Sequence, residues 1–187
     1  MLELRASSLA DTHRIAAVIA ALCRGGDLVV LSGEMGAGKT AFAQGFGRSL
    51  GITEPITSPT FTLVHSYDIP ASPNARATGV RSLHHADLYR LDRTAEIADL
   101  ALEELAEYQG IVLVEWGDVV ESLFGDHLVV HLAAEFDVDP TSDTTSDDDT
   151  EEAASGDDVR MIEISASGPR WADRWSRIVA ACQEFTC

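Results

Sequence analysis

The eight residues Gly33-Glu34-Met35-Gly36-Ala37-Gly38-Lys39-Thr40 fit the pattern G-x-x-x-x-G-K-[ST] at every position. Such a loop does one kind of chemistry. Its glycines let successive backbone N–H groups converge on a phosphate where a side chain would block the approach. The helix that follows adds the partial positive charge of its N-terminus. Lys39 is then expected to reach the β- and γ-phosphates of a nucleotide, and the Thr40 hydroxyl to ligate Mg²⁺. A chance match in a chain of this size is on the order of one in a hundred, and a Val-rich apolar run before the loop with a helical stretch after it lowers that further. Lys39 is also the chain's sole lysine, against twelve arginines. A flexible point charge has been kept at the one place where the planar fork of Arg would not serve.

Two carboxylates and a threonine supply what the loop lacks. Asp87, in His85-Ala86-Asp87-Leu88-Tyr89-Arg90, closes one candidate strand, and Glu115, in Ile111 to Trp116, closes another. Strand ends beside a phosphate loop face the metal and the γ-phosphate, where an acid can bind Mg²⁺ or orient the attacking water. Either one taken alone reads equally well as a solvated charge at a strand end. Thr60, in Ser58-Pro59-Thr60-Phe61, lies where a switch loop senses the γ-phosphate, although an ordinary capping turn explains the same residues. Guanine-reading loops carry Asn-Lys-x-Asp, which this chain excludes because Asn74 and Lys39 are its lone asparagine and lysine. Adenine is the expected base.

The elements that must position these groups are legible in outline. Ser8 followed by Asp11 has capping-box character, ahead of Ile15, Val18, Ile19 and Leu22 at helical spacing in Thr12 to Cys23. Gly25-Gly26 stops that helix. Leu28 to Leu31 reads as a buried strand, and a second helix runs from Lys39 to Leu50 before Gly51. Strands are expected at Phe61 to Tyr67, Ser82 to Leu88, Ile111 to Val114, Leu128 to Leu132 and Arg160 to Ser165. Further helices are expected at Ala95 to Tyr108 and from Pro169 to Glu184. The polar stretch 70–81, with two prolines and Asn74, reads as a loop insertion.

Composition bounds the rest. A chain of 187 residues suits a single α/β domain. No apolar run approaches the roughly 18 residues of a membrane span, and the first residues do not read as a signal peptide. Cys23, Cys182 and Cys187 show no metal or redox spacing. A cytoplasmic protein is expected. Of the net charge of −18, eleven acidic residues fall within Glu135 to Asp158, which holds no Lys or Arg; setting them aside leaves −7. Residues 137–158, mostly Asp, Thr, Ser and Glu, form a low-complexity acidic insertion expected to be disordered. The chain offers no basic footprint for direct contact with DNA or RNA. His13, His65, His84, His127 and His131 form no metal cluster and read as packed or surface residues.

The order G-E-M-G-A-G-K-T, S-P-T-F, H-A-D-L-Y-R-L, V-E-W resembles the TsaE family, once called the YjeE type, over about Ser8 to Leu132. The resemblance is weaker from Arg160 onward. It departs from the family pattern at the Glu34-Met35 pair and in the two polar insertions. It implies a P-loop NTPase-like mixed sheet flanked by helices, with ATP and Mg²⁺ as ligands. Gly33 through Thr40, with Ala41, would form the nucleotide cradle. Lys39 and Thr40 keep their phosphate and metal roles, Thr60 becomes the switch residue, Asp87 a Walker-B-like acid, and Glu115 a metal ligand or water-orienting group. Trp116 lines the nucleotide site or a partner face, and Ser8, Leu9 and Thr12 lie beside the adenine. The implied partners are the TsaD and TsaB proteins, with tRNA reached indirectly through them and no DNA or membrane. The implied activity is slow ATP hydrolysis that drives the cycle of their complex in threonylcarbamoyladenosine synthesis. The competing readings are a P-loop small-molecule kinase, to whose Arg-rich lid Arg90 and Arg93 could contribute although the sequence shows no clear lid segment, and a nucleotide-bound signalling protein with negligible hydrolysis.

Overall fold

The computed structural model describes residues 1–59, 63–72, 78–89, 100–116, 124–134 and 159–186. Thr60, Arg90, Arg93, residues 73–77 of the first insertion and the whole of 137–158 lie outside the described residues. So do the first residues of two expected elements, Phe61 and Thr62 of a strand and 95–99 of a helix.

Seven strands form one mixed sheet: β1 (Leu2–Ala6), β2 (Asp27–Ser32), β3 (Val64–Asp68), β4 (Ser82–Asp87), β5 (Gly110–Glu115), β6 (His127–Ala134) and β7 (Arg160–Ser167). Their spatial order is β1-β7-β6-β2-β5-β4-β3. The middle strands β6, β2, β5 and β4 are mutually parallel, and β1, β7 and β3 attach antiparallel at the flanks. Among the described residues the helices are α1 (Leu9–Leu22), α2 (Lys39–Ser49), α3 (Leu102–Glu107) and α4 (Pro169–Ala181), with a 3₁₀ turn at Gln183–Phe185.

Alternation along the central strands makes two cores. Val29, Leu31, Ile111, Leu113 and Leu128 face one side, where Ile15 and Ile19 of α1, Phe42 and Phe46 of α2, and Trp171 and Ile178 of α4 cover them. Leu28, Val30, Val112 and Val114 face the other side, against Leu102 and Ala106 of α3. Every residue of β2 and β5 is therefore buried, as parallel strands covered on both faces require.

The caps follow the sequence with small shifts. Ser8, in extended conformation, accepts from the Asp11 N–H at 3.2 Å, so α1 begins at Leu9 rather than Thr12. Asp11 reaches back at 3.1 Å to the N–H of Ser7, one residue before the cap. The last helix ends at Ala181, short of Glu184. The strand β1 was not anticipated; its Leu2, Leu4 and Ala6 alternate inward against β7, over 150 residues away in the chain.

Candidate functional site

Parallel pairing brings the chemical groups to one edge. Along β4 and β5 the register sets Asp87 opposite Glu115, and β5 pairs with β2 up to Leu31↔Glu115. The glycine-rich loop leaves β2 immediately beyond, so both carboxylates sit at the strand ends beside it, where ligands bind in open α/β sheets.

The loop needs its glycines for separate reasons. Gly33, Gly36 and Gly38 have φ of +127°, +81° and +102°, values that L side chains rarely adopt. A Cβ on Gly33 would lie 2.1 Å from the carbonyl oxygen of Leu132 at the end of β6, whereas one on Gly36 would meet nothing within 4 Å. Gly33 is thus fixed by packing, and Gly36 by backbone conformation. Gly38 caps α2 without any side-chain hydrogen bond, which leaves the first-turn N–H groups available to an anion.

Lys39 is 4% exposed. Its ammonium donates to the carbonyls of Gly33 at 2.8 Å and Glu34 at 2.7 Å, and lies 3.7 Å from the centre of the Trp116 ring. Trp116 holds this position on a left-handed backbone, φ +61°, with its N–H donating to Leu31 at 3.0 Å. Tyr89 packs against the same indole at 5.0 Å between ring centres.

The two acids have distinct partners. Glu115 accepts from the Thr40 hydroxyl at 3.0 Å (Oε1) and 3.2 Å (Oε2), and its Oε1 also lies 2.9 Å from Nε2 of His85. Asp87 accepts from the Ser58 hydroxyl at 2.5 Å and from the Tyr89 N–H at 3.0 Å. Both carboxylates and His85 are buried. Asp87 and Glu115, with Lys39, Thr40, Ser58 and Trp116, line a cavity of about 350 Å³ that His85 does not reach. Other surface cavities are as large or larger, including those lined by Asp68 and Arg81 and by Gln44 and Arg48, so size does not single this one out. Convergent polar groups do.

The oxygen donors present suit a hard cation. Thr40 and Glu115 offer a hydroxyl and a carboxylate side by side. Mg²⁺ takes one or two such protein ligands and completes its shell with phosphate and water. Among the described residues no three His, Cys, Asp or Glu side chains converge as an all-protein metal cage.

The expected site residues divide into groups. The structure brings Lys39, Thr40, Asp87, Glu115 and Trp116 to one cavity with Met35, Gly36, Gly38 and Ala41. Gly33, Glu34 and Ala37 shape the loop behind it: Lys39 donates to the first two, and Ala37 donates to Glu34 at 3.2 Å. Ser8, Leu9 and Thr12 are not in its lining; Ser8 caps α1, and the buried Thr12 hydroxyl donates to the Ser8 carbonyl at 3.3 Å. Thr60 lies outside the described residues. Sequence reasoning missed Ser58, Tyr89 and His85. The strand period could have found the last, since His85 stands two residues before Asp87 and so shares its face.

Comparison with known proteins gives the site its context. Residues 6–144 match the family profile described as threonylcarbamoyl adenosine biosynthesis protein TsaE. A curated TsaE of Bacillus subtilis is 41% identical over 111 residues, 59% of this chain and 63% of the relative. The chain thus spans less than two thirds of that protein's length. A TsaE of Treponema pallidum is 38% identical over 65% of this chain and 83% of its own. That of Streptomyces coelicolor is 34% identical over 82% and 89%. The crystal structure of Bacillus subtilis YdiB superposes with a TM-score of 0.68 at 27% identity, covering 96% of this chain and 94% of that one. With the profile spanning most of its length and its glycine-rich loop and both strand-end acids inside the match, the chain belongs to the TsaE family.

Proposed function

We propose that this protein hydrolyses ATP in the service of tRNA threonylcarbamoyladenosine biosynthesis, driving the cycle of a TsaD–TsaB complex. The observation that carries the hydrolytic reading is the Thr40–Glu115 pair at the head of α2, a hydroxyl and a carboxylate within 3.2 Å in the cavity that Lys39 also lines. Family membership supports the pathway.

In this reading the loop N–H groups and the N-terminus of α2 bind the β-phosphate, and Lys39 exchanges its two carbonyl partners for phosphate oxygens. Thr40 and Glu115 would hold Mg²⁺, which would supply positive charge to offset that of the phosphates. Asp87, held by Ser58 and Tyr89, orients the attacking water. A bond forms from the water oxygen to the γ-phosphorus, the bond to the β,γ-bridging oxygen breaks, and ADP and phosphate leave. Thr60 would sense the γ-phosphate, and Ser8, Leu9 and Thr12 would lie toward the base. The low count of basic residues supports action on tRNA through protein partners rather than by direct grip.

The test is phosphate release from ATP by the purified protein, with and without TsaD and TsaB. The expected result is slow turnover alone, faster turnover with partners, and repeated rounds of tRNA modification. Activity indifferent to partners would overturn the pathway role, and phosphate appearing on a metabolite would replace hydrolysis with a kinase.

A further inference from the structure

His85 is fully buried at the middle of β4, and its two ring nitrogens are treated differently. Nε2 lies 2.9 Å from Oε1 of Glu115, whereas Nδ1 has no hydrogen-bond partner among the described residues. A buried N–H left unpaired costs about 1–3 kcal/mol. A bare ring nitrogen beside a carboxylate would set two lone pairs against each other. One arrangement avoids both: a neutral imidazole with its proton on Nε2, donated to Glu115, and a bare Nδ1 facing the apolar interior.

That tautomer has a consequence for Glu115. Its Oε1 accepts from His85 and, at 3.0 Å, from Thr40, while Oε2 has only the longer 3.2 Å contact with Thr40. Oε1 is therefore the fixed oxygen and Oε2 the one left to serve a ligand. We infer that His85 is a positioning residue for Glu115: it sets the carboxylate rotation that aims Oε2 at the divalent cation beside Thr40. The arrangement parallels the outer-shell partners that orient metal ligands elsewhere, whose loss costs on the order of 10- to 100-fold in metal affinity. The inference rests on the nucleotide–metal reading of the same site, though not on hydrolysis.

The experiment compares the full-length protein with His85→Leu and His85→Gln, whose amide N–H can stand near the Nε2 position. Mn²⁺ affinity is titrated by electron paramagnetic resonance in the presence of a non-hydrolysable ATP analogue, and binding of the same analogue is measured in EDTA. The expected result is a loss in Mn²⁺ affinity of about tenfold or more in His85→Leu, recovery of most of it in His85→Gln, and metal-free nucleotide affinity within about twofold throughout. Unchanged Mn²⁺ affinity in folded His85→Leu, or an equal loss in both variants, overturns the proposal. Should His85→Leu not fold, the ¹⁵N spectrum of the parent decides. A protonated Nε2 with a bare Nδ1 upholds the assignment, and the opposite tautomer removes it. Mn²⁺ binding that follows this pattern in a protein releasing no phosphate from ATP would keep His85 in its role and discard only the ATPase reading.

Discussion

The two ends of β2 bury charge in opposite ways. At its beginning, Asp27 and Arg174 of α4 form a bidentate pair, with Nη2 2.8 Å from Oδ1 and Nη1 bound to Oδ2. The Arg24 N–H donates to Asp27 at 2.7 Å, and Arg174 also donates to the carbonyls of Leu22 at 2.9 Å and Arg170 at 3.0 and 3.2 Å. Its guanidinium lies 4.0 Å from the centre of the Trp171 ring. Nearby Cys23 is held far above the usual thiol range by burial and by the Asp27 charge. At the other end, Lys39, Glu115 and Asp87 are just as buried, yet they line a cavity, and the lysine donates to the carbonyls of Gly33 and Glu34. Burial of charge does not distinguish structure from function here. The distinction lies in whether the hydrogen-bonding capacity is consumed within the fold or kept facing an opening.

The contrast can be broken by single substitutions. Asp27→Ala should have the largest effect, about 3–5 kcal/mol of lost stability, because it leaves the Arg174 charge buried without its partner. Urea unfolding would measure this, and a midpoint close to the parent's would mean the closed end is dispensable. Lys39→Ala should do the reverse: ATP hydrolysis falls about 100-fold or more, equivalent to roughly 2.7 kcal/mol of barrier, while the melting temperature hardly moves. A large loss of stability in that variant would place Lys39 with the structural charges instead.

Gly33→Ala tests the seam between the loop and the sheet. Its φ of +127° and the Leu132 carbonyl 2.1 Å from the added Cβ predict about 1–3 kcal/mol of strain, together with weaker nucleotide binding. Normal binding in that variant would show that the loop adjusts independently of β6. Ser8→Ala, which removes the α1 cap, should cost about 1 kcal/mol. If ATP affinity fell as well, Ser8 would serve the base side of the site in addition to the helix.

The smallest effect concerns pH. Burial depresses the pKa of His84, which sits toward the closed end of β4 between the hydroxyls of Ser66 at 2.8 Å and Ser82 at 3.0 Å. The unfolded chain then binds the proton more readily than the folded one. The stabilisation is complete above the unfolded value near 6.5 and is lost as pH falls through the lower folded value. Thermal melts between pH 7 and 5 should show a shallower decline for His84→Gln than for the parent, and identical slopes would refute the assignment.

How much of this was legible in the chain depended on how local each feature is. The phosphate loop is contiguous, and its glycines, lysine and threonine were identified with the strand and helix that flank it. Asp87 and Glu115 were singled out because each ends an apolar run, and the structure brings both to one cavity. Their partners were harder: His85 and Glu115 are 30 residues apart and meet through the parallel register of β4 and β5, which no local pattern encodes. Ser58 escaped for the same reason, since its partner Asp87 is 29 residues away. The strand β1 escaped because five alternating residues acquire meaning only against β7, itself placed by a fold that closes from the far end of the chain. The buried Asp27–Arg174 pair, joining residues 147 apart, had no signature at all.

The sole lysine of the chain has a practical consequence. Apart from the terminal amine, Lys39 carries the one primary amine the protein possesses, and that amine sits beneath Trp116 in the phosphate loop. An acylating reagent that spares the N-terminus, or a protein whose N-terminus is already blocked, would turn amine labelling into a readout of a single atom. The rate of that labelling, and its protection by nucleotide, would report occupancy of the loop without engineering the protein.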